Sequence, residues 1–109
     1  MTTARRLALP AALLLGLLPA TARADAIDGN WCTDTGLRMT IQGPSLLSPG
    51  GVRMTGEYGR HDFSYTAPAG EPGAGGRVDL RLMGENLMRA QAANGSIDPL
   101  WRRCGPPVS

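Results

Sequence analysis

The sequence predicts one small all-β domain, an antiparallel meander or a partial barrel of about six strands closed by one disulfide. Short segments alternate apolar and polar residues, and Gly- and Pro-rich breaks separate them at intervals typical of an antiparallel sheet. A chain of 109 residues is too short for a second core. A charged content of 18% is too low for a disordered tail.

The first 26 residues are predicted to be a cleaved secretory signal peptide. Arg5 and Arg6 give it a positive start, and the apolar run from Leu7 to Leu18 follows. Small residues then allow cleavage after Ala24 or after Ala26. Twin-arginine export is an alternative use of the arginine pair. The run is shorter than the roughly 20 residues that cross a membrane, so no span is expected in the mature form.

The mature domain, residues 27–109, is expected in a bacterial periplasm or outside the cell. It keeps eight arginines, eight acidic residues and no lysine, so the formal net charge falls from +2 to zero. The two signs are interspersed along the chain, and we therefore expect no continuous basic face. This argues against nucleic acid and anionic membranes as partners.

Two cysteines are predicted to form one disulfide, Cys32 to Cys104. A catalytic or metal-binding thiol pair is the alternative, but the sequence has neither a CxxC motif nor a His and Cys cluster. A domain this small has a marginal core, and the bridge is expected to stabilise it by roughly 4 kcal/mol through the long loop that it closes.

Alternation predicts the individual strands. Apolar residues with polar neighbours occur at 37, 39 and 41, at 52 and 54, and at 78, 80 and 82. The turns between them are Gly43-Pro44, the segment 48–51 and the long stretch 68–76. The shortness of these turns predicts a meander.

The phase of the alternation breaks between residues 52 and 66. Val52, Met54 and Tyr58 are at even positions, whereas Phe63 and Tyr65 are at odd ones. A β-bulge near residue 59 would bring both sets to the core, and so would a tight turn through 59–62 that starts a new strand. The bulge is the preferred interpretation.

Residues 84–95 are compatible with two structures. The helix-forming residues and the Asn94-Gly95 pair fit a short capped helix. The same pair is a hairpin signal, and the apolar Leu100-Trp101 that follows fits a last strand. We predict a strand, with the helix as the alternative.

The segment from about residue 29 to 58 resembles the opening strands of avidin-type and lipocalin-like barrels. Gly29-Asn30-Trp31, Met39-Thr40-Ile41 and Thr55-Gly56-Glu57-Tyr58 carry the resemblance. It implies an up-and-down barrel with a ligand in its mouth and an arginine packed on the first-strand tryptophan, here Arg102 beside Trp101 packing on Trp31. At positions where the avidin pattern has polar ligand-binding residues, this sequence has Thr33, Leu37 and Arg60. Biotin binding is therefore not expected.

Catalytic motifs are absent from the sequence, and we predict neither an enzyme nor a cofactor. His61 is the only histidine, and no serine lies in a Gly-x-Ser-x-Gly elbow. No signal supports Glu57 and Asp62 as paired catalytic carboxylates. The glycines at 70–76 lack the lysine of a phosphate-binding loop, so a mobile hairpin loop is the better interpretation.

Two functions are left. The first is a non-catalytic module that binds a protein partner; inhibition of a hydrolase by insertion of the exposed loop 68–76 is one version of it. The second is a carrier of a small apolar ligand in a calycin-like cup. Because Trp, Tyr and Arg are common interface anchors, the candidate binding surface consists of Trp31, Tyr58, Arg60, His61, Trp101 and Arg102. The competing interpretation places the aromatic residues in the core.

Overall fold

The computed structural model describes residues 26–105, so the predicted signal peptide lies outside the described residues apart from Ala26. Every regular element within them is a strand, which confirms the all-β class. The strands are β1 (Gly29–Cys32), β2 (Arg38–Gln42), β3 (Ser45–Leu47), β4 (Arg53–Thr55), β5 (Glu57–Tyr58), β6 (Asp62–Thr66), β7 (Arg77–Gly84), β8 (Leu87–Ala92) and β9 (Leu100–Arg103).

The strands form one antiparallel sheet of nine, in the order β4-β3-β2-β1-β9-β8-β7-β6-β5. Its edge strands, β4 and β5, are consecutive in the chain and joined by Gly56, so the sheet nearly closes into a barrel. The amide of Gly56 continues the β3–β4 pairing by donating to Pro44 O over 2.9 Å. There are nine strands rather than about six because several contain only two or three residues, too few for alternation to be visible.

The inner face of the sheet forms a filled core. Met39 and Ile41 in β2 and Val78 and Leu80 in β7 are all buried, as their alternation predicts. Burying an aliphatic side chain of this size stabilises a fold by about 1.5–3 kcal/mol. The rest of the core is made of Ile27, Trp31, Leu46, Phe63, Tyr65, Ala67, Met88, Ala90 and Trp101.

A tight turn, not a bulge, resolves the phase break. Gly59 and Asp62 exchange backbone hydrogen bonds of 2.7 and 3.3 Å across a two-residue loop of Arg60 and His61. The preferred bulge near residue 59 was therefore wrong, and the alternative turn is present. Hairpin geometry resets the alternation at this point, since a new strand begins after the turn.

Val52 and Tyr58 do not join the core, contrary to the expectation from their phase. Val52 is 43% exposed and Tyr58 is 40% exposed. Val52 lies in the turn before β4, and Tyr58 ends the two-residue edge strand β5. Between them, at Gly56, the chain passes from pairing with β3 to pairing with β6. A Cβ there would lie 2.4 Å from Phe63 Cε1, so only glycine allows this close approach.

Residues 87–92 form a strand, which confirms the prediction over the helical alternative. Met88 and Ala90 face the core, and pairing with both β7 and β9 satisfies the backbone of β8. Tertiary pairing overrides local helix propensity here. A β-bulge does occur, but in β7 between Leu82 and Gly84.

The predicted disulfide is confirmed. Cys32 and Cys104 are bridged with a Cα–Cα distance of 5.1 Å and a sequence separation of 72 residues. The bridge joins the end of β1 to the residue after β9, next to the pairing of Cys32 with Arg102. It therefore fastens the first strand to the last.

The long loop 67–76 joins the antiparallel strands β6 and β7, which confirms the expected hairpin loop. Ala69, Gly70, Ala74 and Gly75 are exposed, whereas other parts of the loop pack on the barrel. Gly73 is buried against Ala67 and Val78, and Gly75 N donates to Ala67 O over 2.9 Å. Ser48 Oγ, from the β3–β4 loop, donates to Glu71 Oε2 over 2.8 Å. Two loops thus close this end of the barrel, which we call the loop end.

Candidate functional site

Trp31 and Trp101 belong to the core and not to a binding surface. Both side chains are fully buried. Each indole N–H has a backbone acceptor at 2.8 Å, Ile27 O for Trp31 and Asp98 O for Trp101. Two of the six candidate surface residues are therefore wrong, and the core interpretation holds for them. Side chains alternate between the two faces along a strand, and the alternation in β1 and β9 directs both tryptophans into the barrel.

An arginine does pack on Trp31, but it is Arg103 rather than the expected Arg102. The guanidinium carbon of Arg103 lies 4.4 Å from the centroid of the Trp31 ring. The two residues are register partners between β1 and β9. Arg102 is one position away and therefore projects from the outer face.

Arg103 also fixes the N-terminal segment across one end of the barrel. Its Nη1 donates to Asp28 O over 2.7 Å, its Nη2 to Ala26 O over 2.8 Å and its Nε to Glu85 O over 2.5 Å. Burial lowers the pKa of this guanidinium, against the opposing influence of Asp28 and Glu85. A charged donor with several carbonyl acceptors is a strong anchor.

Tyr58, Arg60 and His61 lie together on the β5–β6 hairpin, and all three are exposed. The Tyr58 hydroxyl donates a short hydrogen bond to Asp28 Oδ1, and Arg60 O accepts from Ile27 N at 2.8 Å. The hairpin is thus attached to the N-terminal segment. We call this the hairpin end; the structure brings three of the predicted surface residues together there.

Arg102 belongs to a different surface, which sequence reasoning missed. It pairs with Cys32 of β1, whose other neighbour is Arg38, and with Leu87 of β8. Two positions further along β8, Arg89 pairs with Arg81 of β7. We call the outward surface of these strands the arginine face; its members are Arg38, Arg81, Arg89 and Arg102.

None of these four arginines forms an ion pair with any of residues 26–105. The strands that carry them, β2 and β7 to β9, contain a single acidic residue, Asp79, and Asp62 of β6 is the register partner of Arg81. Asp79 is already engaged, because Ser64 Oγ donates to it over 2.7 Å and Arg77 Nε over 2.8 Å. The hydrogen bond from Ser64, together with Arg77, lowers the pKa of Asp79. Carboxylates thus lie beside this surface, and the expectation of no continuous basic face stays a prediction.

The loop end contains two buried polar atoms without partners among the described residues, Tyr65 Oη and Glu71 Oε1. Burial, with the charge of Glu71 as a second cause, raises the pKa of Tyr65 to about 12. An unsatisfied buried polar atom costs about 1–3 kcal/mol. Tyr65 is therefore a neutral phenol packed into the core at the loop end.

Several depressions with partly polar linings lie on the outside of the barrel. One of 350 Å³ lies beside Glu57, Ser64 and Arg77, and one of 480 Å³ lies over the outward residues Asn30 and Thr40. No group of three or more His, Cys, Asp or Glu residues within 26–105 is arranged to hold a metal ion. The candidate functional surface is therefore the exterior of the sheet.

No protein-family profile matches this chain, and no curated protein or solved structure matches it either.

Proposed function

We propose that this chain is an exported, non-catalytic β module that binds a protein partner through its outer surface. The filled core is the observation that carries the proposal. The inner face is occupied by Trp31, Trp101, Phe63 and the aliphatic side chains around them, and the largest of these are fully buried. A carrier of an apolar ligand needs a lined cavity of roughly 300–1,000 Å³ among such side chains.

Closure of both ends also supports the proposal. The N-terminal segment covers the hairpin end through Ile27, which is fully buried. Loop 67–76 covers the loop end through Gly73 and Glu71. A calycin-like cup, the alternative function, would need one of these ends to open.

Export is supported by the leader pattern and by the disulfide. The Cys32–Cys104 bridge is typical of an oxidising compartment such as the periplasm. No part of the described chain forms a helix with the length and apolarity that a membrane crossing requires. We propose on the leader pattern and the disulfide that the mature protein is periplasmic or secreted.

Native mass spectrometry of the mature protein, isolated from its own periplasm, tests the function. We expect a mass two hydrogens below that of the reduced chain, no small-molecule adduct, and a co-purifying protein that dissociates on activation. A stoichiometric apolar adduct that survives gentle desolvation would contradict the proposal and favour the carrier.

A further inference from the structure

The arginine face combines positive charge with exposed apolar side chains in one continuous area. Arg81 and Arg89 are register partners, so two like charges lie directly opposite each other on neighbouring strands. Such a pair destabilises a sheet when no counter-charge is present. Asp62 on β6 is the other register partner of Arg81, although their side chains form no ion pair, whereas the register partners of Arg89 are Arg81 and Leu100. Arg38, Arg89 and Arg102 therefore present positive charge that no ion pair within residues 26–105 neutralises.

Leu100 lies at the centre of this area. It is 44% exposed, pairs with Arg89 and precedes Arg102 by two positions on the same side of β9. Met83, 49% exposed, follows Arg81 by two positions near the end of β7. An apolar side chain flanked by guanidinium groups is the composition of a protein interface, in which arginine is enriched and lysine depleted.

Acidic residues border the same area and discriminate between possible partners. Asp34 and Asp98 line a depression together with Leu100, next to the arginines. A phosphate backbone or an anionic bilayer presents uniform negative charge and would be repelled at this border. A protein surface of mixed composition can place carboxylates on the arginines and an uncharged patch over Leu100.

We propose that the arginine face binds an acidic surface of a partner protein, with Leu100 packed against an apolar patch at its centre. This inference rests on the proposed protein-binding function and specifies the chemistry of the partner. Guanidinium groups bind carboxylates in a bidentate geometry, which gives orientation as well as affinity.

Charge-reversal variants test the proposal. The probe is periplasmic extract of the source organism, passed over immobilised, disulfide-bonded mature protein, and the bound protein is identified, purified and titrated. Arg89→Glu and Arg102→Glu are compared with Arg53→Glu. Arg53 is an exposed arginine on β4, outside the arginine face, and the change in net charge is the same.

We expect Arg89→Glu and Arg102→Glu each to weaken the purified partner's binding about tenfold or more, and Arg53→Glu to leave it nearly unchanged. Leu100→Ser should weaken binding with little change in its salt dependence, because it removes an apolar contact and no charge. Added salt should weaken the wild-type complex. Thermal unfolding and intact mass establish that each variant is folded and bridged.

Other results overturn the proposal. Equal losses in all three charge reversals would show a dependence on net charge and no defined face. Binding to phosphatidylglycerol vesicles or to a DNA duplex, with the same loss in Arg89→Glu, would assign the face to a non-protein anion. If a partner protein is bound but only Tyr58→Ala or Arg60→Ala weakens it, the protein-binding function stands and this face is wrong. If no protein is bound, both proposals fail.

Discussion

The two ends of this small barrel are closed in different ways. At the hairpin end, a charged side chain, Arg103, donates to three backbone carbonyls and lies over Trp31. At the loop end, Glu71 accepts one hydrogen bond from Ser48, while its other oxygen and the hydroxyl of Tyr65 lack partners among the described residues. Both ends of the barrel are therefore covered, although the polar groups are hydrogen-bonded at the hairpin end and two buried polar atoms lack partners at the loop end. We expect the hairpin end to contribute more to stability.

The largest effect should come from the disulfide, which joins β1 to the chain just after β9. Replacing both Cys32 and Cys104 with serine should lower the free energy of unfolding by about 4 kcal/mol, because the unfolded chain regains the freedom of a long loop. Urea unfolding of the variant against the oxidised wild type measures the loss. A loss well below 1 kcal/mol would show that the pairing of β1 with β9 is sufficient without the bridge.

The next largest effect should come from Arg103→Met, at about 3 kcal/mol, because the variant loses three charged hydrogen bonds and leaves the Ala26 carbonyl buried without a donor. Arg102→Met is the matched control, since the neighbouring arginine is exposed, and it should change stability by less than about 0.5 kcal/mol. Equal effects of the two substitutions would contradict the anchoring role of Arg103.

The start of the mature chain should have a smaller effect at the same end. A chain beginning at Asp25 keeps the Ala26 carbonyl that binds Arg103, whereas one beginning at Ile27 loses it and puts an ammonium group at a buried position. We expect the shorter chain to be about 1–2 kcal/mol less stable. Urea unfolding of the two chains, prepared with defined N-termini, measures the difference. Equal stabilities would contradict the contribution of the Ala26 carbonyl.

The smallest effects should come from the two tyrosines, and they should have opposite signs. Tyr58→Phe removes the hydrogen bond to Asp28 and should cost about 1 kcal/mol. Tyr65→Phe removes a hydroxyl that has no partner, and should be neutral or stabilise the fold by up to about 1 kcal/mol. Chemical unfolding of both variants measures the difference. A clear destabilisation by Tyr65→Phe would show that its hydroxyl is bonded in solution.

Alkaline unfolding tests the loop end independently. The pKa of Tyr65 is raised from its ordinary value of 10.0 to about 12, so the unfolded chain loses the phenolic proton before the folded chain does. This contribution to stability is complete below pH 10 and is lost as the pH rises through about 12. Tyr65→Phe should therefore flatten the fall in stability over that window, and phenolate absorbance monitors the titration.

The sequence was sufficient for the features that depend on local alternation and spacing. Strands through Met39 and Val78, the turns between them and the Cys32–Cys104 bridge all follow from such patterns. The number of strands could not be predicted in this way, because alternation cannot be recognised in a two-residue strand such as β5. The change of pairing partner at Gly56 depends on contacts between strands, which one segment of sequence cannot reveal.

The surface was harder to predict than the core. Arg38, Arg81, Arg89 and Arg102 are scattered through the chain, and only strand register brings them together. The distinction between Arg102 and Arg103 depends on one step of register in β9, since adjacent residues face opposite sides. Placing Trp31 and Trp101 on the surface was wrong because the two tryptophans fill the interior of a small barrel.

The position of β9 has a consequence for the order in which the protein acquires its structure. The sheet consists of two meanders, β1 to β4 and β5 to β8, and β9 is hydrogen-bonded to both. A chain that crosses a membrane from its N-terminus delivers β9 last, so each half forms its local hairpins before the two can be joined. Cys104 arrives after β9, and oxidation of the pair marks the moment at which the domain is complete.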